Sequence, residues 1–110
     1  MNKEVIFTMG KDEFYPRLIT AIQTTKPFEG WFGYKLSLII TNENLELGIV
    51  DISVVETQMP FRDLVGYVNM RYYEEEGNIH CFINLKSLGP GYKKTVNGML
   101  EEVLQKIQSL

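Results

Sequence analysis

Residues 92 to 110 read YKKTVNGMLEEVLQKIQSL, and the periodicity of this stretch decides the predicted fold. Its apolar residues recur at steps of three and four, which at about 100° per residue places them on one stripe of a helix. The stripe consists of Tyr92, Val96, Met99, Leu100, Val103, Ile107 and Leu110, with Leu104 at its margin. Charged and amide residues dominate the other side. This pattern is typical of a helix that packs on a protein core.

The C-terminal helix needs a partner, and the residues before it predict a β-sheet. Alternation of apolar with other side chains, which is typical of strands, occurs at residues 4–9, 34–40, 45–54, 64–73 and 79–87. A second, shorter helical pattern covers Asp12 to Thr24. The predicted order is β-α-β-β-β-β-α, an α+β fold in which an antiparallel sheet carries the early helix and the long C-terminal helix on one face.

The connections between the strands are predicted from their composition. Thr41-Asn42-Glu43-Asn44 is a run of turn-forming polar residues and predicts a hairpin turn. The apolar phase changes near Gly48, which predicts a bulge at that point. Residues 56–63 contain Pro60 and are expected to form a loop. Residues 74–78 contain three consecutive glutamates and are expected to form an exposed hairpin tip.

The composition limits the classes of partner. A chain of 110 residues suffices for one domain, and residues 1–110 are expected to form it. A net charge of −3 argues against nucleic acid, because phosphate binding needs a clustered excess of Lys and Arg. No run approaches about 18 apolar residues and no signal-peptide core is present, so we expect a cytoplasmic protein without a membrane partner. The lone Cys81 excludes an internal disulfide.

The predicted layout resembles a small helix-grip domain of the START-like and Bet v 1-like kind, and the TATA-binding-protein-like fold shares its topology. The resemblance lies in the short first strand, the early helix, the strand meander and the long C-terminal helix. The stretch VIFTMGKDEFY at residues 5–15 also resembles the entry from first strand to first helix in these proteins. The chain is shorter than full-length helix-grip proteins, which argues against a large lipid-sized cavity. A resemblance of layout implies a fold and not a function.

Trp31-Phe32-Gly33-Tyr34 places three aromatic residues in four positions. One interpretation is a core edge that closes one end of the sheet, because aromatic clusters are usually packing. The other interpretation is the rim of a pocket for a small apolar ligand, formed by Trp31, Phe32 and Tyr34 together with Tyr92. An enzyme whose site lies between the C-terminal helix and the Trp31 cluster is the alternative function.

The chain shows no strong pattern of catalytic residues. His80 and Cys81 are adjacent, but neighbouring residues on a strand point to opposite faces and form no dyad. Cys81 is in phase with apolar residues and is expected to be a small core residue. One Cys and one His are also too few for a usual structural zinc site, which takes about four ligands. We therefore predict no catalytic residue, no metal and no cofactor.

The last two predicted strands carry aromatic and basic residues on the face opposite to the helices. The residues of this face proposed as an interface are Tyr67, Arg71, Tyr73, His80, Phe82 and Lys86. Aromatic residues and Arg are enriched at the centres of interfaces, and a two-fold homodimer needs only one self-complementary patch. The alternative is a solvated amphipathic face. The sequence thus predicts a non-catalytic module that binds a second copy, another partner or a small ligand.

Overall fold

The structure is a computed structural model that describes residues 2–109. It consists of strand β1 (Asn2–Phe7), helix α1 (Lys11–Thr24), strand β2 (Phe28–Glu29), a 3-10 turn (Trp31–Gly33), strands β3 (Lys35–Asn44), β4 (Ile49–Gln58), β5 (Phe61–Glu75) and β6 (Asn78–Lys86), and helix α2 (Pro90–Ser109). The strands form one antiparallel sheet in the order β1-β6-β5-β4-β3-β2. The predicted α+β class is confirmed, and the two-residue strand β2 is an addition to it.

The core lies between the two helices and one face of the sheet. The predicted stripe of α2 is buried at Val96, Met99, Leu100, Val103, Leu104 and Ile107. Tyr92 is half-buried, and Leu110 lies outside the described residues. Helix α1 buries Phe14, Leu18, Ala21 and Ile22 against the same core. The sheet contributes alternate residues of its central strands, among them Ile52, Val68, Met70, Cys81 and Ile83.

The hairpin between β3 and β4 turns later than predicted. Strand β3 continues through the polar run 41–44, and the turn falls at residues 45–48. Gly48 closes it with φ of +67°, and a side chain there would collide with the carbonyl oxygen of Tyr72. The predicted bulge near Gly48 is wrong, since the register shifts between Ile40 and Asn42 instead. The turn forms at residues 45–48 rather than at 41–44, because glycine adopts the positive φ found at Gly48 more readily than other residues do.

The predicted loop at residues 56–63 is largely strand. Strand β4 runs to Gln58, β5 begins at Phe61, and only Met59 and Pro60 connect them. A second register shift lies between Val54 and Val55, which pair with Gly66 and Leu64. One residue of β5 therefore has no partner on β4, and the strand beyond it reverses its faces. Leu64 is half-exposed as a result, although simple alternation along β5 would place it towards the helices.

Candidate functional site

The six residues predicted as an interface lie together on the face of the sheet that α1 and α2 leave uncovered. We call this surface the open face. In the register of β5 and β6, these residues form three cross-strand pairs, which are Tyr67 with Lys86, Arg71 with Phe82, and Tyr73 with His80. Directly opposed side chains on one face of an antiparallel pair are in contact distance. The register therefore joins the six residues into one continuous surface.

The centre of the open face is an aromatic stack. The rings of Tyr73 and His80 are nearly parallel, with centroids 4.9 Å apart and an interplanar angle of 5°. The ring of Phe82 lies 6.1 Å from that of Tyr73 at 22°. Ile6 of β1 pairs with His80 from the other side and is half-exposed. An apolar surface thus extends across β1, β6 and β5, and it is accessible to a partner.

Arg71 is fixed beside this stack by a carboxylate that sequence analysis did not single out. Asp51 of β4 accepts hydrogen bonds from Arg71 Nη1 at 2.8 Å, from Asn69 Nδ2 at 2.8 Å and from Asn42 Nδ2 at 3.2 Å. Partial burial by itself raises the pKa of Asp51, but these hydrogen bonds and the charge of Arg71 outweigh it and hold the pKa below its ordinary value. The one feature of the sequence that could have pointed to Asp51 is that it is the single carboxylate within the apolar run Ile49–Val54.

The open face carries charges of both signs. Glu4 pairs with Phe82 from β1, and Glu75 lies with its Oε2 atom 3.9 Å from His80 Nε2. Lys86 lies at the other end of β6, opposite Tyr67. With Arg71 and Asp51, these residues place three acidic and two basic side chains on the open face. A surface of this kind does not repel a copy of itself, as a surface of one sign does.

The four residues predicted to line a ligand pocket separate into two pairs. Trp31 and Phe32 are 84% and 89% exposed, so the core-edge interpretation is wrong for both. Tyr34 and Tyr92 are half-buried against the core on either side of Glu56.

Tyr92 donates its hydroxyl hydrogen to Glu56 Oε2 at 2.6 Å. This hydrogen bond, followed by burial, raises the pKa of Tyr92 to about 12, because ionisation would place two negative charges together. Burial and the charge of Glu56 also raise the pKa of Tyr34. The hydrogen bond between Tyr92 and Glu56 therefore joins the start of α2 to the end of β4.

A groove of about 610 Å³ lies next to the predicted pocket rather than at it. Its lining residues are Lys26, Pro27, Phe28 and Glu29 on one side and Lys94, Thr95, Gly98, Met99 and Glu102 of α2 on the other. The volume falls within the range of about 300 to 1,000 Å³ that is usual for small-molecule sites. Sequence analysis missed this groove because the first side comes from a segment interpreted only as a loop.

Cys81 and His80 lie on opposite faces of strand β6 and form no dyad. Cys81 is buried in the core, and burial raises the pKa of its thiol to about 12, so it holds its proton at neutral pH. Residues 2–109 contain no group of three or more His, Cys, Asp or Glu side chains placed to hold a metal ion.

No protein-family model matches this chain, and no curated protein matches it either. Among residues 2–109, no helix is both long and apolar enough to cross a membrane. The function must therefore be argued from the surfaces of the molecule.

Proposed function

We propose that this protein is a non-catalytic interaction module that forms a homodimer through the open face. The observation that carries the proposal is the register of β5 and β6, which makes Arg71–Phe82 and Tyr73–His80 neighbouring cross-strand pairs on the open face. The Tyr67–Lys86 pair lies on the same face, beyond the Asn69–Asn84 pair. Both described helices lie on the other side of the sheet, so they do not cover these residues. Stacked aromatic rings beside a fixed Arg are typical of the energetic centre of an interface.

A second copy is the occupant that the charges favour. Glu75 and Lys86 lie near opposite ends of β6, with the aromatic stack between them. A two-fold axis between the two faces and perpendicular to β6 places Lys86 of each copy opposite Glu75 of the other. The same operation places Phe82 of each copy near Phe82 of the other at the centre, with the Tyr73–His80 pair of one copy opposite the Asn69–Asn84 pair of the other. One surface therefore supplies both the apolar contact and the matching charges.

Sedimentation at micromolar concentration tests the dimer. We expect the wild-type protein to be a dimer and Phe82→Glu to be a monomer, because the substitution places a charge at the apolar centre. Phe61→Glu is the matched control, since Phe61 is an exposed aromatic residue outside the open face. A wild-type monomer overturns the proposal, and so does a dimer that Phe82→Glu leaves intact.

Charge exchange tests the orientation of the two copies. Lys86→Glu is expected to weaken the dimer, because it places two glutamates opposite each other. Adding Glu75→Lys to that variant is expected to restore the affinity, since the pair is then reversed. Failure of the double variant to recover shows that Lys86 and Glu75 do not meet, and the proposed axis is then wrong.

The second candidate function is binding of a small ligand in the groove between residues 26–29 and α2, which the groove volume favours. Phe28 and Met99 supply apolar surface there, and Lys26 and Lys94 supply positive charge beside the carboxylates of Glu29 and Glu102. Gly98→Leu fills the groove, because no atom lies within 4 Å of a side chain built at that position. Loss of binding of an apolar anionic dye in Gly98→Leu supports this function. Unchanged dye binding contradicts it.

A further inference from the structure

Four large apolar side chains project into solvent at one end of the sheet. Trp31 and Phe32 lie on the 3-10 turn, and Met59 and Phe61, which are 82% and 71% exposed, lie on the connection between β4 and β5. The two segments are neighbours, because Lys35 at the start of β3 pairs with Thr57 near the end of β4. We call the part of the molecule formed by residues 26–35, 57–64 and 86–94 the loop end.

The backbone of the 3-10 turn holds its two aromatic residues outward. Phe32 has φ of +56°, in the left-handed region that residues other than glycine seldom occupy, and Gly33 follows with φ of +76°. Hydrogen bonds from Gly30 N to Tyr34 O at 2.9 Å and from Tyr34 N to Trp31 O at 3.1 Å close the turn. Strained residues of this kind persist where the surrounding structure fixes them, often at binding sites.

The charges of the protein are segregated between its two ends. The loop end carries six basic residues, all exposed, against the two acidic residues Glu29 and Asp63. Two further carboxylates border it, Glu56 beside Tyr92 and Glu102 in the groove with Lys26 and Lys94. The basic residues are Lys26, Lys35, Arg62, Lys86, Lys93 and Lys94. This excess of positive charge lies at the same end as the four apolar side chains, in a protein whose net charge is −3.

The opposite end of the molecule is acidic. It is formed by residues 10–13, 41–48 and 74–78. Lys11 joins the first two of these segments by donating a hydrogen bond from Nζ to the carbonyl oxygen of Glu46 at 3.1 Å. Its acidic residues are Asp12, Glu13, Glu43, Glu46, Glu74, Glu75 and Glu76, and Lys11 is its one basic residue. The protein is elongated, with a longest dimension of 47 Å, so the two charged ends are well separated.

We propose that the loop end binds the surface of a lipid bilayer that contains anionic lipids. Trp31, Phe32, Met59 and Phe61 enter the interfacial layer, and the basic residues contact the headgroups. Trp and Phe suit this layer, and basic residues near an anionic surface add to the attraction. The acidic end is repelled by the same surface, so the charge distribution also orients the molecule with its loop end towards the bilayer.

A bilayer fits these observations better than a protein partner does. The four apolar side chains project from two separate segments of the chain, and a fluid interface accommodates projecting side chains without a matching pocket. The predicted absence of a membrane partner rested on the lack of a long apolar run, and binding at a surface needs no such run. The negative potential of a cytoplasmic leaflet would supply the attraction in the predicted cytoplasmic location. Lys86 belongs to both this surface and the open face, and the two-fold axis proposed for the dimer brings the acidic end of one copy beside the loop end of the other. The bilayer is therefore proposed as the partner of the monomer.

Fluorescence of Trp31, the only tryptophan, tests the proposal directly. We expect vesicles of phosphatidylcholine with phosphatidylserine to shift its emission to shorter wavelength, and brominated lipid to quench it. Vesicles of phosphatidylcholine alone should produce a weaker response, and high salt should reduce the binding, because it screens the charges. Absence of any shift with the anionic vesicles overturns the proposal and leaves a protein partner as the explanation of the loop end.

Vesicle flotation with matched variants locates the contact. Arg62→Glu is expected to lower vesicle binding about tenfold or more, since it removes an attraction and adds a repulsion. Lys11→Glu makes the same change of net charge at the acidic end and should leave binding nearly unchanged. Phe32→Ser should also weaken binding, whereas Phe82→Ser on the open face should not. Equal effects at both ends, or none at Phe32, overturn the proposal.

Discussion

Tyr72 and Tyr73 are neighbours on strand β5, yet they lie on opposite faces of the sheet in different surroundings. Tyr72 is 4% exposed, and its ring packs edge-on against Phe14 of helix α1 with centroids 4.9 Å apart. Burial raises the pKa of its hydroxyl to about 12. Tyr73 is 47% exposed and stacks on His80 and Phe82. The same side chain is thus part of the core on one face and part of an accessible surface on the other.

This difference indicates that the covered face and the open face of the sheet have separate roles. The covered face excludes water, so its residues are expected to determine the free energy of unfolding. The open face exposes the aromatic stack, so its residues are expected to affect association much more than folding. Substitutions on the two faces therefore test the comparison.

The largest effect is expected for Leu100→Ala on the buried stripe of α2. Leu100 is fully buried, and its truncation leaves a cavity beneath the sheet, so we expect a loss of about 2 to 5 kcal/mol in the free energy of unfolding. Urea denaturation measures this loss. Gln105→Ala, on the exposed side of the same helix, is the control and should change the stability by less than about 0.5 kcal/mol. Similar values for the two variants would contradict the assignment of the helix faces.

Gly48→Ala tests how closely the β3–β4 turn approaches the strand that carries Tyr72. The new side chain combines a positive φ with a collision against the Tyr72 carbonyl oxygen, so we expect a loss of about 2 to 4 kcal/mol. Gly77→Ala is the matched control, because Gly77 also has a positive φ but has no atom within 4 Å of the added carbon. Its expected loss is about 1 to 2 kcal/mol, from the backbone alone. Equal losses would show that the close approach is unimportant.

Asp51→Asn tests the polar network of the open face, and we expect it to lower the stability by about 1 kcal/mol at pH 7. The folded-state pKa of Asp51 is below the ordinary value of 3.8, so the ionised carboxylate stabilises the fold. That stabilisation is complete above the ordinary value and is lost as the pH falls through the lowered pKa. The difference between wild type and variant should therefore shrink below about pH 4 in a series of urea titrations. A difference that is constant with pH would contradict the role of the network.

The smallest effect is expected for Phe82→Ala, and its neighbour provides the control. Phe82 is half-exposed on the open face, so we expect a loss of about 0.5 to 1 kcal/mol when unfolding is measured at a concentration where the protein is monomeric. Ile83 faces the core, and Ile83→Ala should cost about 2 to 5 kcal/mol in the same assay. If Phe82→Ala costs as much as Ile83→Ala, the open face belongs to the core and the comparison fails.

Local periodicity was sufficient for the elements that have one buried face. The step of three and four in α2 identified the buried stripe, because a helix that packs on a sheet must keep its apolar residues on one side. The alternation of β5 and β6 likewise placed Tyr67, Arg71 and Tyr73 on the open face. The resemblance to helix-grip domains stays a prediction, and so do the dimer and the ligand.

Periodicity along the sequence did not predict the correct turn or the correct buried residues where the register between strands changed. The residues at 41–44 have high turn propensity, but strand pairing with β4 extends through them to the Asn44–Ile49 pair. Leu64 had the phase of a core residue until the shift between Val54 and Val55 reversed it. A bulge is a property of the register between two paired strands, so the sequence of either strand alone does not predict it.

The sequence by itself determined the covered face, because repetition along one segment is enough to define the apolar side of a helix or strand. Only the tertiary structure decided the loop end. Trp31 and Phe61 are thirty positions apart in the chain, and the six basic residues around them come from three segments that are separated by whole strands. The net charge of −3 is a sum over the whole chain, so it does not reveal that the basic residues lie at one end and the acidic residues at the other. Segregation of charge and exposure of aromatic side chains are properties of how segments are brought together, and they become visible only once the sheet is formed.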